Sequence, residues 1–122
     1  MLLDAVIALG ATVLIGLVLA GRYLKAADGP RPPPWPGLIH GGLGVIGTGV
    51  LLLALRGPPR GLASGAASFG QIAAWFCGFA ILFGVAILAA HVRRRAAWPP
   101  VIVIHAMLGI AGFVMLWAFY AA

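Results

Sequence analysis

Four long apolar runs, at residues 2–24, 36–55, 69–91 and 99–120, alternate with short polar or proline-rich stretches. Inside each run the apolar positions are continuous rather than alternating, which predicts helix and not strand. About 20 residues rising 1.5 Å each cross about 30 Å of hydrocarbon, so each run is long enough to span a bilayer. The punctuation agrees. Residues 29–36 read G-P-R-P-P-P-W-P, which predicts a stiff, polyproline-like link. Residues 57–68 read G-P-P-R-G-L-A-S-G-A-A-S, a flexible loop in which Ser68 is placed to cap the third helix. Proline opening the second and fourth runs suits a first helical turn, where the backbone donor has no partner anyway. The expected fold is all-α: one integral membrane domain, residues 1–122, built as a four-helix bundle.

The pattern also repeats. The phrase I-H-x-x-L-G-x-x-G occurs at residues 39–47 and again at 104–112, near the start of the second and fourth runs. The preceding runs close on matched strings, G-L-V-L-A-G-R-Y at 16–23 and G-V-A-I-L-A-A-H at 84–91. Each is followed by a basic stretch and a Trp-Pro pair, Trp35-Pro36 and Trp98-Pro99. The halves, 1–56 and 61–122, therefore read as two tandem helical hairpins. Each hairpin crosses the membrane twice, so the two have the same orientation and their pseudo-two-fold axis lies along the membrane normal. Helices 2 and 4 then run in the same direction.

Composition reinforces the membrane assignment. The chain is 63% hydrophobic and only 8% charged, with mean hydropathy +1.11. A soluble domain of 122 residues cannot hide that much apolar surface in one core. The start, Met1-Leu2-Leu3-Asp4, lacks the basic region of a secretory signal, so the first run is expected to be a retained helix. The single Cys77 falls within a helix, allows no disulfide inside the chain and reads as a small packing residue.

A net charge of +6 raises the question of nucleic acid, but the placement of the charges answers it. Arg22, Lys25 and Arg31 fall in the first loop, Arg93, Arg94 and Arg95 in the third, and only Arg56 and Arg60 beside the second. One-sided basic loops are topology signals that sit beside anionic membrane lipid. Nucleic acid is not an expected partner. Loops 1 and 3 are expected on the cytoplasmic side and both termini outside, in a bacterial inner membrane. Trp35, Trp98, Tyr23 and Tyr120, together with Trp75 and Trp117, are expected to form interfacial belts.

His40 and His105 are the candidate ligands. Each lies roughly one turn inside its helix, so both sit at similar depth, near the loop 1 and loop 3 face. In a bundle with consecutive short loops, helices 2 and 4 are diagonal, and two histidines facing each other across the axis can hold a flat metal macrocycle. Gly44 and Gly109 follow at four residues, Gly47 and Gly112 at seven, all on the histidine's own helix face. They would clear space for a porphyrin, or serve the close helix packing that membrane proteins build from small residues.

Paired histidines followed by one-face glycines make helices 2 and 4 resemble the four-helix membrane b-type cytochromes, including the cytochrome b561 type. The resemblance rests on the two nine-residue phrases and the architecture. It implies haem b as cofactor, His40 and His105 as axial ligands, and one-electron transfer with a quinone or a redox partner protein. Such bundles commonly carry a second histidine 13 or 14 residues further along each ligating helix. Here those positions hold Leu53 and Ala54, then Ala118 and Phe119, none of which binds iron. One haem is therefore supported, not two stacked across the membrane. Propionates would meet Arg22, Arg93 and Arg94, which could equally hold lipid phosphate. His91 is expected to replace an axial ligand, bond a propionate, exchange protons with a quinone, or simply favour the helix end where it lies.

Other chemistries lack residues. Asp4 and Asp28 are the only carboxylates, and neither lies deep in an apolar run, which disfavours a proton-coupled carrier. Four zinc ligands cannot be assembled, no hydrolase base accompanies Ser64, Ser68 or Thr12, and no glycine loop reads as a phosphate site. Two alternatives stay open: an accessory or assembly subunit of a larger membrane complex, and a small transporter.

Overall fold

A computed structural model describes residues 1–25, 33–93 and 95–122. Arg31, Arg94 and half of the proline-rich link, residues 29–32, lie outside them. Helices α1 (Leu2–Lys25), α2 (Trp35–Ala54), α3 (Phe69–Val92) and α4 (Pro99–Ala121) account for most of the chain, with no strand among the described residues. All four are long and apolar enough to cross a membrane. Their bounds fall within two residues of those expected from the apolar runs. Proline occupies the first positions of α2 and α4, where its fixed φ and missing donor cost nothing. The entry to α3 differs from expectation. Ser68 stands at the cap position but its side chain makes no hydrogen bond. A short 3₁₀ turn, Ala66–Ser68, precedes it, and the Phe69 amide donates to the Ala66 carbonyl instead. Gly65, at φ 74°, supplies the left-handed residue that starts this turn.

The helices form a square. α1 packs on α2 and α4, α3 packs on α2 and α4, and neither α1 with α3 nor α2 with α4 makes a neighbour contact. Helices 2 and 4 are thus diagonal, as the short connections require. The contact between α2 and α3 is the least extensive of the four.

Packing is uneven along the bundle axis. The core cluster gathers Ala5, Val6 and Leu9 of α1, Leu51 of α2, Ala73, Ala74 and Cys77 of α3, and Leu116 of α4. All of them lie in the half that holds the chain termini. Lipid tails are as apolar as these side chains, so close van der Waals packing, rather than escape from water, holds the helices together. Small residues make that approach possible. A Cβ on Gly47 would stand 2.9 Å from Leu9 Cγ and 3.2 Å from Ala8 Cβ, and one on Gly112 would stand 2.9 Å from Cys77 Sγ and 3.2 Å from Phe76 Cβ. Positions matched between the two hairpins also share burial: Ala5 with Ala73, and Leu51 with Leu116, are each 0% exposed.

The outer surface along the helices is largely apolar, with Ile7, Leu14, Leu82, Met107 and Val114 among its exposed side chains. On a soluble monomer such a surface would be an aggregation hazard; against lipid it is the required one. Trp35, Trp98, Trp75 and Trp117 are exposed, in keeping with belts. Tyr23 does something else. Its hydroxyl accepts a hydrogen bond from the Ala97 amide at 2.9 Å, tying the end of α1 to the chain entering α4. Tyr120 is half-buried against the core and against the Trp117 ring at 6.0 Å between centroids.

Two glycines two residues apart on α2 test this account. Gly49 has open space where a Cβ would go. Gly49→Ala is therefore expected to be neutral or to stabilise by up to about 1 kcal/mol through helix propensity. Gly47→Ala, forced against Leu9, is expected to destabilise by about 1–3 kcal/mol. Denaturant titrations in detergent micelles compare the two; equal effects would contradict the packing described.

Candidate functional site

Where the core stops, a cavity of about 520 Å³ begins, walled by all four helices. A second cavity of about 230 Å³ adjoins it toward the end carrying loops 1 and 3. His40 and His105 line both, as do Gly37, Gly84 and Leu88. The histidine pair therefore stands at the junction of the two spaces. The first cavity is nearly all apolar in lining, and several of the residues around it, Leu38, Val45 and Val85 among them, are also exposed at the outer surface. Its size falls in the range of sites that enclose a cofactor or drug-sized molecule, about 300–1,000 Å³.

Both imidazoles are held the same way. His40 Nδ1 lies 3.0 Å from the Thr12 carbonyl oxygen of α1, and His105 Nδ1 lies 2.8 Å from the Ala80 carbonyl oxygen of α3. A carbonyl can only accept, so Nδ1 carries the proton in each ring and donates it. Nε2 is left with its lone pair. The same carbonyl-anchored arrangement orients histidine ligands in metal sites, where the bonded nitrogen fixes the tautomer and the other binds. Thr12 and Thr48, the hydroxyls of the cavity wall, are turned onto their own helices, donating to Ala8 O and Gly44 O at 2.8 Å each. The two Nε2 atoms are thus left as the polar groups available in an apolar space.

The ring centroids are 5.8 Å apart and the planes cross at 78°. A metal between two imidazole nitrogens, at about 2 Å from each, requires centroids about 6 Å apart. The separation observed is close to that figure. Among the described residues no group of three or more histidine, cysteine or carboxylate side chains could hold a metal ion. A metal here would need its remaining ligands from outside the protein, as a macrocycle supplies them.

Each glycine of the repeated phrase has a definite place, and they divide by position. Gly44 and Gly109 line the larger cavity, the first 3.3 Å from Thr12 Cγ2 at its hypothetical Cβ and the second with nothing within 4 Å. Gly47 and Gly112 line neither cavity. They face α1 and α3 respectively and serve helix contact. Two other glycines, at the matched positions 16 and 84, turn out to govern the histidines. A Cβ at Gly16 would lie 2.7 Å from His40 Cε1, and one at Gly84 would lie 3.1 Å from His105 Cε1. The alignment of the two hairpins already pairs these glycines; that they border the imidazoles requires the helices to be packed.

His91 lines the loop-end cavity together with Arg22 and Tyr23. It does not join His40 and His105 in a group of three that could hold a metal ion. Arg93, just past α3, is exposed and lines neither cavity. Arg94 lies outside the described residues. Compared with protein-family models, curated proteins and solved structures, the chain matches none.

Nitrogen-15 NMR of histidine-labelled protein in detergent, at a pH where the rings are neutral, reads the tautomers directly. Both His40 and His105 are expected as Nδ1–H. An Nε2–H form of either ring would remove the carbonyl anchor on which the site geometry depends.

Proposed function

We propose that this chain is an integral membrane b-type haem protein, with one haem b between His40 and His105, that takes part in one-electron transfer. The observation that carries the proposal is the pair of carbonyl-anchored imidazoles, 5.8 Å apart at the junction of two cavities. Two imidazole nitrogens leave the other positions of an iron ion to ligands from outside the protein, which a flat macrocycle supplies, and such a macrocycle needs the side-chain-free wall that Gly44 and Gly109 help provide. When bound, haem would supply a reversible iron(III)/iron(II) couple. The protein would set its potential through neutral imidazole ligation and apolar burial. The Thr12 and Ala80 carbonyls raise the basicity of the imidazoles they accept from, and Gly16 and Gly84 admit the ring edges. The redox partner would be a quinone or a protein.

The likeness to the cytochrome b561 type and the origin of the chain by hairpin duplication belong to the same proposal. Matched pairs support the duplication: Gly16 beside His40 and Gly84 beside His105, Gly47 on α1 and Gly112 on α3. The basic residues at the loop end support a topology with loops 1 and 3 in the cytoplasm and both termini outside. An alkaline phosphatase fused after Ala122 is expected to be active, and one placed in loop 1 inactive; the reverse pattern would invert the topology.

Protein purified from haem-replete cells is expected to show a low-spin reduced-minus-oxidised haem spectrum with one haem per chain. His40→Ala and His105→Ala should each lose that spectrum while keeping helix content. Colourless wild-type protein that co-purifies with a larger membrane complex would sink the haem assignment and favour an accessory subunit.

A further inference from the structure

The four walls of the larger cavity are not alike. Of the exposed residues that line it, six lie on α2 and one on each of the other helices. Three of the six are glycines, Gly37, Gly41 and Gly42. In register with the repeated phrase, their matched positions on α4 are Ile102, Ala106 and Met107. Of these, Ala106 alone lines the cavity. The cavity therefore spreads over the flank of α2 and stops short of the same flank of α4.

Side-chain size separates the two seams that flank the histidines. In the same register the α2–α3 seam matches the α4–α1 seam. On the α4–α1 side, Phe113 closes on Gly10, whose Cβ would stand 3.1 Å from the ring. On the α2–α3 side Thr48 takes the place of Phe113, and Gly78, the match of Gly10, has nothing within 4 Å of its Cβ position. Gly37, Gly41 and Gly42 have nothing within 4 Å either. The α2–α3 contact is also the least extensive around the square. Glycine in a membrane helix ordinarily lets a second helix come close, as at Gly47 and Gly112. No helix of this chain comes close to these four, yet each costs about 1 kcal/mol of helix stability relative to alanine. What they supply is a clear path from the lipid to the histidine pair.

We infer that the α2–α3 seam is a lateral doorway, through which the flat cofactor passes edge first between the bilayer and the space beside His40 and His105. The inference rests on the haem assignment at those two residues. A macrocycle with a largely apolar body favours hydrocarbon over water, so the membrane is its natural reservoir. A bundle opens most cheaply where its helices hold each other least, and that is this seam. The opposite seam, filled by Phe113, stays shut. Gly41 and Gly42 thus act on the rate of passage and not on the strength of ligation.

The test mixes purified apoprotein with haem b in neutral detergent and follows the haem absorbance in time. Release is timed by transfer to excess apomyoglobin. A G41L/G42L variant fills the doorway at two positions with open space, so the fold is kept. It should take up haem about tenfold or more slowly than wild type, and release it more slowly by the same factor. Its equilibrium affinity should stay within about threefold of wild type. The control is G49L, the same change at an exposed glycine of α2 that lines neither cavity. Both its rates should stay within about threefold of wild type. Wild-type uptake by G41L/G42L would overturn the doorway, and so would equal slowing in G49L, which would trace the effect to a stiffer helix. Slower uptake with faster release would make Gly41 and Gly42 part of the wall around the bound cofactor, and also overturn it. A wild-type dimer or complex that is lost in G41L/G42L would assign these glycines to helix docking instead. Wild-type protein that develops no haem absorbance would refute the haem assignment itself, and the doorway with it.

Discussion

Two hydrogen bonds from imidazole to backbone, His40 to Thr12 and His105 to Ala80, are the constraint on which the site depends. Each joins a histidine to the neighbouring helix of its own hairpin, so ring orientation is set by helix packing and not by a flexible side chain. In an apolar medium such bonds are not traded against water, and an unbonded ring nitrogen would be costly. They also decide chemistry. With Nδ1 protonated and engaged, Nε2 is the ring nitrogen left with a free lone pair in each histidine.

The anchoring works because the rest of the bundle is built in two parts. One half is filled by alanine, leucine and a cysteine, with Gly47 and Gly112 letting the paired helices close. The other half keeps the helices at the distance that packing imposes, but lines the space between them with glycine and apolar side chains. The tight half supplies stability, and the open half supplies room. A glycine costs helix stability wherever it occurs, so its use beside the histidines at 16 and 84 marks a steric demand that alanine cannot meet. The rings cross at 78°, each held by a different helix of the square.

Much of this was legible in the chain. Continuous apolar runs bounded by proline and glycine placed all four helices within two residues of their ends, because hydrophobic length is a strong signal when the solvent is lipid. Matched histidines singled out α2 and α4, and consecutive connections made them diagonal. Other features escaped. Four phrase glycines looked equivalent on one face, yet only the pair nearer the histidines reaches the cavity. Tyr23 read as an interfacial aromatic, and its hydroxyl also straps Ala97, a contact that spacing along the chain did not announce. Ser68 read as a side-chain cap and was displaced in that role by the 3₁₀ turn before it.

The sequence by itself determined the number of helices, their limits, their apolar exteriors and the identity of the two histidines, because these depend on residue type and spacing along one chain. Tertiary structure alone decided which ring nitrogen is free, which glycines yield space to a ring and which to a helix, and how far apart the imidazoles stand. Those are distances between helices that no spacing along the chain specifies. A one-turn slide of α1 against α2 would preserve every motif and remove the carbonyl from His40. Close packing at Gly47 opposes that slide, and packing at Gly112 opposes the equivalent slide of α3 against α4, so each carbonyl stays beside its histidine.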